Sequence, residues 1–403
     1  MSEPLVIVGN GMAAARLVDE LAARALGRYA VAVVGEEPRL AYNRVLLSSL
    51  LAREVEPSDL ELKPARWWRD RGVTLRYGCR AESVDVAGRR VVLADGRALP
   101  FSKLVLATGS RPIRLSLPGI DLPGVVGFRD LGDVDAMTGV CGPGRRVVVI
   151  GGGLLGIEAA HGLAKRGARV TLVHLMDRLM ERQLDAAAAA LLWQAVEAHG
   201  IRVLLGAETK AVTGATRAEG VQLADGRLLR ADLVVVAVGI RPNAELAAGA
   251  GLAVNRGIVV DDGLQTSGEG VHAVGECVEH RGQCYGLVEP GYEQARVLAR
   301  RLAGERADYP GSILATNLKV SGVNVFSAGE FLGGAGAEHI LLSDPGLRSY
   351  RKLVLRDGRL VGAVLFGDTA DALWYLDLIR SGDNVERFRD TLMFGRALAM
   401  RAA

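Results

Sequence analysis

The chain has 403 residues, of which 49% are hydrophobic and 24% charged, and its formal net charge is +3. That length predicts two or three domains with ample core, and the small net charge gives no electrostatic reason to expect nucleic acid or an anionic membrane as partner. No apolar run approaches the ~18 residues of a membrane span, and the first strand starts too early for a signal peptide to precede it, so a cytoplasmic protein is expected.

In chain order, Leu5–Val8 reads as a short strand running into Gly9, Asn10, Gly11, Met12, Ala13 and Ala14. This is a dinucleotide fingerprint. The first glycine permits the tight turn, the second lets backbone approach a pyrophosphate, and the third position must be small for helix–strand packing. The phosphates then rest on unpaired N–H groups at the helix start. Ala13 to Arg24 reads as that helix and Ala30 to Val34 as the next strand. An acid at the end of such a strand receives ribose hydroxyls. Glu36 and Glu37 both stand there, and either can take the role or be a solvated surface acid.

A hairpin follows, Arg90 to Leu99 with Asp95-Gly96 at its turn, and leads into an apolar strand from Leu104 to Thr108, Gly109 and Pro112. The whole order then recurs. Val147–Ile150 runs into Gly151, Gly152, Gly153, Leu154, Leu155 and Gly156, with a helix from Ile157 to Arg166 and a strand from Arg169 to Val173. A second hairpin turns at Asp225-Gly226, and a strand from Leu233 leads to Val238, Gly239 and Pro242. Two βαβ units predict parallel sheets and an α/β class, and two fingerprints predict two bound dinucleotides in one chain.

The second unit departs from the first at one place: its strand ends at His174, with no acid. An arginine pair for a 2′-phosphate is also missing, although Arg178 is near, so NADH and NADPH both stay open, with a lean to NADH. Glu158 is placed to hydrogen-bond a nicotinamide carboxamide, or else is a helix N-terminal acid stabilised by the dipole. Asp185 to His199 reads as a further helix. Another strand, ending at Gly275 and Glu276, suggests that the first domain resumes after the second; Glu276 can receive ribityl hydroxyls. Beyond about Tyr309 the pattern changes to a strand, an Asp-Gly turn and a strand from Tyr350, then a helix from Ala370 to Arg380, a small α+β domain. Cys79, Cys141, Cys277 and Cys284 include no C-x-x-C, so no metal site is expected.

With these residues in place, the chain resembles the flavoprotein disulfide reductase superfamily, in its ferredoxin-reductase-like branch. Thr108-Gly109 and Gly275-Glu276 match the flavin motifs of that group, the latter with Glu for the usual Asp. Tyr42 to Ser48, Val173 to Met176, Met180 to Asp185, Gly275 to Gly286, Leu318 to Val323 and Phe326 to Gly329 are similar to the flavoprotein portion of assimilatory NAD(P)H nitrite reductase large subunits. The similarity extends over essentially the whole chain.

The resemblance implies an FAD-binding domain at 1–112 and 242–308, an NAD(P)H-binding domain at 113–241 inserted in it, and a C-terminal α+β domain at 309–403. It implies flavin contacts at Arg44, Thr108, Gly109, Gly275, Glu276, Leu287 and Val288, and nucleotide contacts at Gly151, Gly153, Glu158 and Gly239. Ser49 lies in the flavin segment where ferredoxin reductases of this branch usually have Lys. The clustered cysteines of the nitrite reductase iron–sulfur and sirohaem regions do not occur in this sequence. The implied role is therefore an FAD-dependent NAD(P)H oxidoreductase that passes electrons to an iron–sulfur partner, as the electron-transfer subunit of assimilatory nitrate or nitrite reductase. A ferredoxin or rubredoxin reductase is the alternative, with a disulfide reductase or a non-enzymatic flavin-binding subunit further off. The tail is the candidate docking surface.

Overall fold

Parallel strands covered on both faces need near-continuous aliphatic runs, and both fingerprint strands have them. In the computed structural model, which describes residues 2–320 and 323–402, Glu3–Val8 and Arg146–Ile150 each occupy the centre of a five-stranded parallel sheet. The first sheet runs Val271–Ala273, Lys103–Leu106, Glu3–Val8, Tyr29–Gly35, Thr74–Tyr77. The second runs Arg202–Leu204, Arg169–Val173, Arg146–Ile150, Leu233–Val236, Val125–Val126. Val8 lies opposite Val34 and Leu106, and Ile150 opposite Val173 and Val236. Each central strand thus ends where the chain order of its neighbours reverses, the crevice in which open α/β sheets bind ligands.

The chain divides into two units. One comprises Met1–Leu47, Val55–Arg111 and Ile240–Ser312; the other comprises Ser48–Glu54, Pro112–Gly239 and Ile313–Ala403. In the first, the helix Val288–Leu302 packs on the helix Met12–Ala22. Their approach is close: a Cβ on Gly291 would lie 3.7 Å from the Ala13 Cβ, and Gly275, just beyond the strand Val271–Ala273, packs against both, since a Cβ on it would lie 3.0 Å from the Ala13 Cβ and one on Gly291 would lie 3.3 Å from the Gly275 Cα.

In the second unit a short piece from early in the chain, Ser48–Glu54, lies along one stripe of the helix Leu154–Lys165. Gly162 makes room for it, since a Cβ there would fall 2.8 Å from the Leu51 side chain. Arg166 donates to the Leu51 carbonyl at 2.6 Å, and Lys165 pairs with Glu54 at 2.5 Å.

Each predicted hairpin is part of a three-stranded antiparallel sheet, whose third members are Ala81–Asp85 and Thr209–Thr213. Only Val84 and Val212 are buried in those strands, which leaves the alternating pattern too sparse to read from sequence. The two turns have the same geometry. The Asp95 and Asp225 carboxylates accept from the N–H two residues on, both at 3.0 Å, with Gly96 and Gly226 at φ +80° and +89°.

The tail is a five-stranded antiparallel sheet, in the order Ala315–Val320, Val323–Gly329, Arg359–Phe366, Ser349–Arg356, Glu338–Asp344. The helix Ala372–Ser381 closes over a core that includes Phe326, Leu353, Leu365 and Tyr375. Of the motif from Leu318 to Val323, Ser321 and Gly322 lie outside the described residues.

Candidate dinucleotide sites

A helix start leaves N–H groups unpaired unless side chains cap them. The helices Leu131–Val140 and Ala186–Ala198 are capped by Asp130 and Asp185, whose carboxylates accept from Asp133 and Ala188 N–H at 2.9 and 3.1 Å. The two fingerprint helices are built otherwise. Met12–Ala22 and Leu154–Lys165 begin immediately after Gly11 and Gly153, with no side-chain cap and no acid in the first turn. Their starts lie ahead of the expected Ala13 and Ile157, because the second glycine of each motif itself serves as the extended N-cap. A Cβ added to Gly11 or Gly153 would meet nothing within 4 Å. Bare N–H groups beneath open space fit a pyrophosphate.

The first glycines have the opposite constraint. A Cβ on Gly9 would lie 2.0 Å from the Ala107 carbonyl, and one on Gly151 would lie 2.3 Å from that of Ala237, with φ at +119° and +118°. At the third position a Cβ on Gly156 would lie 1.8 Å from the Gly151 oxygen, whereas Ala14 is accommodated and buried.

In the first unit, Glu37 accepts from the Tyr42 hydroxyl at 2.8 Å and pairs with Arg44, whereas Glu36 is exposed. Thr108 donates to the Asn243 carbonyl at 2.6 Å and the Asn243 amide returns a bond to the Thr108 carbonyl at 2.9 Å. This reciprocal lock gives Asn243 a part that sequence reasoning did not assign. Gly109 takes φ +66° and accepts the Asn243 N–H at 2.9 Å. Gly275, at φ +90°, donates to the Gln294 side chain at 2.8 Å, and Glu276 accepts from Ser110 at 2.7 Å. Leu287 is the N-cap of the helix that begins at Val288, again without a side-chain cap. The first unit therefore gathers the Gly9 loop, Thr108-Gly109, Gly275-Glu276 and an uncapped helix start at the ends of its strands.

In the second unit, Glu158 is the fifth residue of its helix, outside the first turn, so it is not an acid of the helix's first turn. It is half-buried, and burial pushes its carboxyl up to about 7 against the lowering effect of a hydrogen bond from Ser48. A carboxyl so raised can donate as well as accept near neutral pH, which suits a carboxamide. Ser49, expected in the flavin segment, belongs to this unit and hydrogen-bonds Glu54. His161, one turn on from Glu158, is buried and its pKa is lowered, first by burial and then by Lys165 and His199. Leu154 and Leu155 open the helix and are partly exposed, as are Val238 and the more open Gly239, whose φ is +117°.

His174, expected among the nucleotide contacts, has both ring nitrogens engaged. Its Nδ1 accepts the Gly152 N–H at 3.0 Å and its Nε2 lies 3.1 Å from Glu181. Burial pushes the Cys141, Cys277 and Cys284 thiols up, the reverse of what activates a thiolate. Among the described residues no group of side chains could hold a metal ion, and no helix is long and apolar enough to cross a membrane.

Comparison with known proteins accounts for this duplicated layout. The pyridine nucleotide-disulphide oxidoreductase family matches residues 3–299. The chain belongs to that family. Residues 315–383 match the rubredoxin NAD+ reductase C-terminal domain. Among relatives, the chain is 45% identical to a nitrite reductase [NAD(P)H] of Bacillus subtilis, over 91% of this chain and 46% of that protein. It is 41% identical to the assimilatory nitrate reductase electron transfer subunit of the same organism, over 93% and 48%. The chain thus spans about half the length of these curated relatives. A ferredoxin reductase from Rhodopseudomonas palustris superposes with a TM-score of 0.84 at 30% identity, covering 93% of this chain and 95% of that one.

Proposed function

We propose that this protein passes electrons from NAD(P)H through FAD to an iron–sulfur protein, as the electron-transfer component of an assimilatory nitrate or nitrite reductase. The observation that carries the reading is the pair of uncapped helix starts beneath open space at Gly11 and Gly153, in a chain similar to a nitrate reductase electron transfer subunit. When bound, the flavin supplies the conversion of a two-electron hydride donor into a source of single electrons.

The protein's part is to hold and orient. The Gly9 loop, with Met12, Ala13 and Ala14 behind it, would seat the FAD pyrophosphate. The carboxylates at Glu36 and Glu37 would serve its ribose, Arg44 and Thr108-Gly109 its flanks, Glu276 the ribityl hydroxyls, and Leu287 and Val288 the pyrimidine edge through backbone. The Gly151 loop, with Leu154, Leu155, Val238 and Gly239 around it, would receive the nicotinamide nucleotide, and Glu158 would orient the carboxamide. On this reading residues 1–112 and 242–308 form the FAD domain, apart from the piece Ser48–Glu54 that belongs to the second unit, with 113–241 the nucleotide domain and 309–403 the docking domain for the partner. Raised thiol pKa values at Cys277 and Cys284 speak against a disulfide reductase.

A second reading, reduction of a free ferredoxin or rubredoxin, is favoured by the match of the tail to the rubredoxin NAD+ reductase C-terminal domain. Stopped-flow mixing of purified protein with NADH tests the shared chemistry. The expected result is rapid bleaching of a yellow protein that releases FAD on denaturation. A folded, colourless preparation that FAD does not reconstitute would end the proposal. Reoxidation by a nitrate reductase catalytic subunit, compared with ferredoxin and rubredoxin, separates the two readings.

A further inference from the structure

The second fingerprint lacks the strand-end acid that ordinarily receives ribose hydroxyls, yet the structure brings an acid to that strand end from elsewhere. We infer that Glu181, held by His174, is the ribose-binding acid of the second site and sets a preference for NADH over NADPH. The inference rests on the reading of the Gly151 loop as the nicotinamide nucleotide site.

The geometry is specific. Gly152 has only an N–H to offer His174, so Nδ1 accepts, the ring proton sits on Nε2, and Nε2 donates to the Glu181 carboxylate at 3.1 Å. The Gly152 carbonyl in turn accepts the Met180 N–H at 3.0 Å. Both backbone polar groups of the fingerprint's middle residue are therefore bound by the segment that carries Glu181. That segment is a tight turn around the buried Met180, at φ +50°, whose carbonyl accepts from Gln183 and Leu184, both at 2.8 Å. Glu181 keeps about a fifth of its side chain exposed (22%), so oxygen lone pairs remain for a diol.

A 2′-phosphate in the same place would face that carboxylate, and the neighbouring cations offset it poorly. Arg178 pairs with Asp177 at 3.1 Å, and Arg182 is 87% exposed, with its Nε 4.0 Å from Glu181. A carboxylate that hydrogen-bonds a diol and repels a phosphate discriminates twice at one atom pair.

Calorimetric titration of the FAD-loaded protein with ADP-ribose and with 2′-phospho-ADP-ribose tests this without turnover. The wild type should bind ADP-ribose at least tenfold more tightly. Glu181→Gln should weaken ADP-ribose about tenfold and bring the ratio close to one. His174→Glu restores a strand-end acid able to accept the Gly152 N–H, and combined with Glu181→Gln it should recover the preference. An unchanged ratio in Glu181→Gln, or a wild type that favours the 2′-phosphate, overturns the inference. A wild type that binds neither compound, and whose flavin neither NADH nor NADPH bleaches, overturns the site reading itself and is told apart by that double failure.

Discussion

The two fingerprint loops are the same device set in different surroundings. Both offer bare helix N–H groups under open space. They differ in what holds the segment beyond the second strand. In the first unit Tyr42 and Arg44 reach back to Glu37 from the same stretch of chain. In the second, the segment from His174 ends at Asp185, which caps its helix, accepts from Tyr350 at 2.7 Å and lies 3.5 Å from the buried Lys352. The first loop is steadied locally. The second is tied, through one carboxylate, to a strand from the tail. On the proposed reading, it is the nicotinamide nucleotide's loop that is tied to the domain proposed for partner docking.

The largest expected effect tests that tie. Asp185→Ala removes a helix cap and the carboxylate beside the buried Lys352, which keeps only the Leu332 carbonyl at 3.4 Å, and breaking a buried pair costs about 3–5 kcal/mol. Chemical denaturation should register the loss, and Asp130→Ala, which removes only a cap, should cost about 1 kcal/mol.

Next is Glu158. Its carboxyl is raised from 4.5 to about 7, so the folded state holds the proton more tightly than the unfolded chain. Stability attributable to this group therefore falls as pH rises from about 4.5 to about 7 and is flat above. Glu158→Gln should abolish that slope and gain on the order of 2–3 kcal/mol at neutral pH, measured as melting temperature against pH. Glu158→Ala, which can neither donate nor accept at that place, should slow flavin reduction by NADH while leaving FAD content unchanged. If the reduction rate is untouched, the carboxyl does not orient the nicotinamide.

Gly156→Ala then probes the asymmetry of the third fingerprint position. Its Cβ would meet the Gly151 oxygen at 1.8 Å, and such overpacking costs about 1–3 kcal/mol, which should appear as a weaker apparent affinity for NADH. Ala14→Gly in the first loop should cost no more than about 1 kcal/mol and leave FAD in place; equal effects at the two positions would erase the distinction. The smallest effect is at Thr108→Val, which loses one hydrogen bond to the Asn243 carbonyl and about 1 kcal/mol of stability.

Much of the architecture was legible from local pattern. Leu5–Val8 and Val147–Ile150 could be read as strands because burial on both faces demands unbroken aliphatic runs. The glycines could be read because few other residues tolerate such backbone at Gly9 and Gly151. The Asp95-Gly96 and Asp225-Gly226 turns are written in adjacent residues. The strands Ala81–Asp85 and Thr209–Thr213 were not legible, because each buries a single valine.

The candidate sites divide in the same way. Sequence alone located the two uncapped helix starts after Gly11 and Gly153, since these depend on residues adjacent in the chain. It showed that His174 stands where an acid was expected, but left the consequence open. Tertiary structure decided that Glu181 comes to His174, that Asn243 locks Thr108, that Ser48 and Ser49 lie along the Glu158 helix, and that Asp185 holds Tyr350. These pairings join residues that no short-range periodicity relates, and only the folding of the chain's distant or irregular stretches onto one another brings them within hydrogen-bond reach.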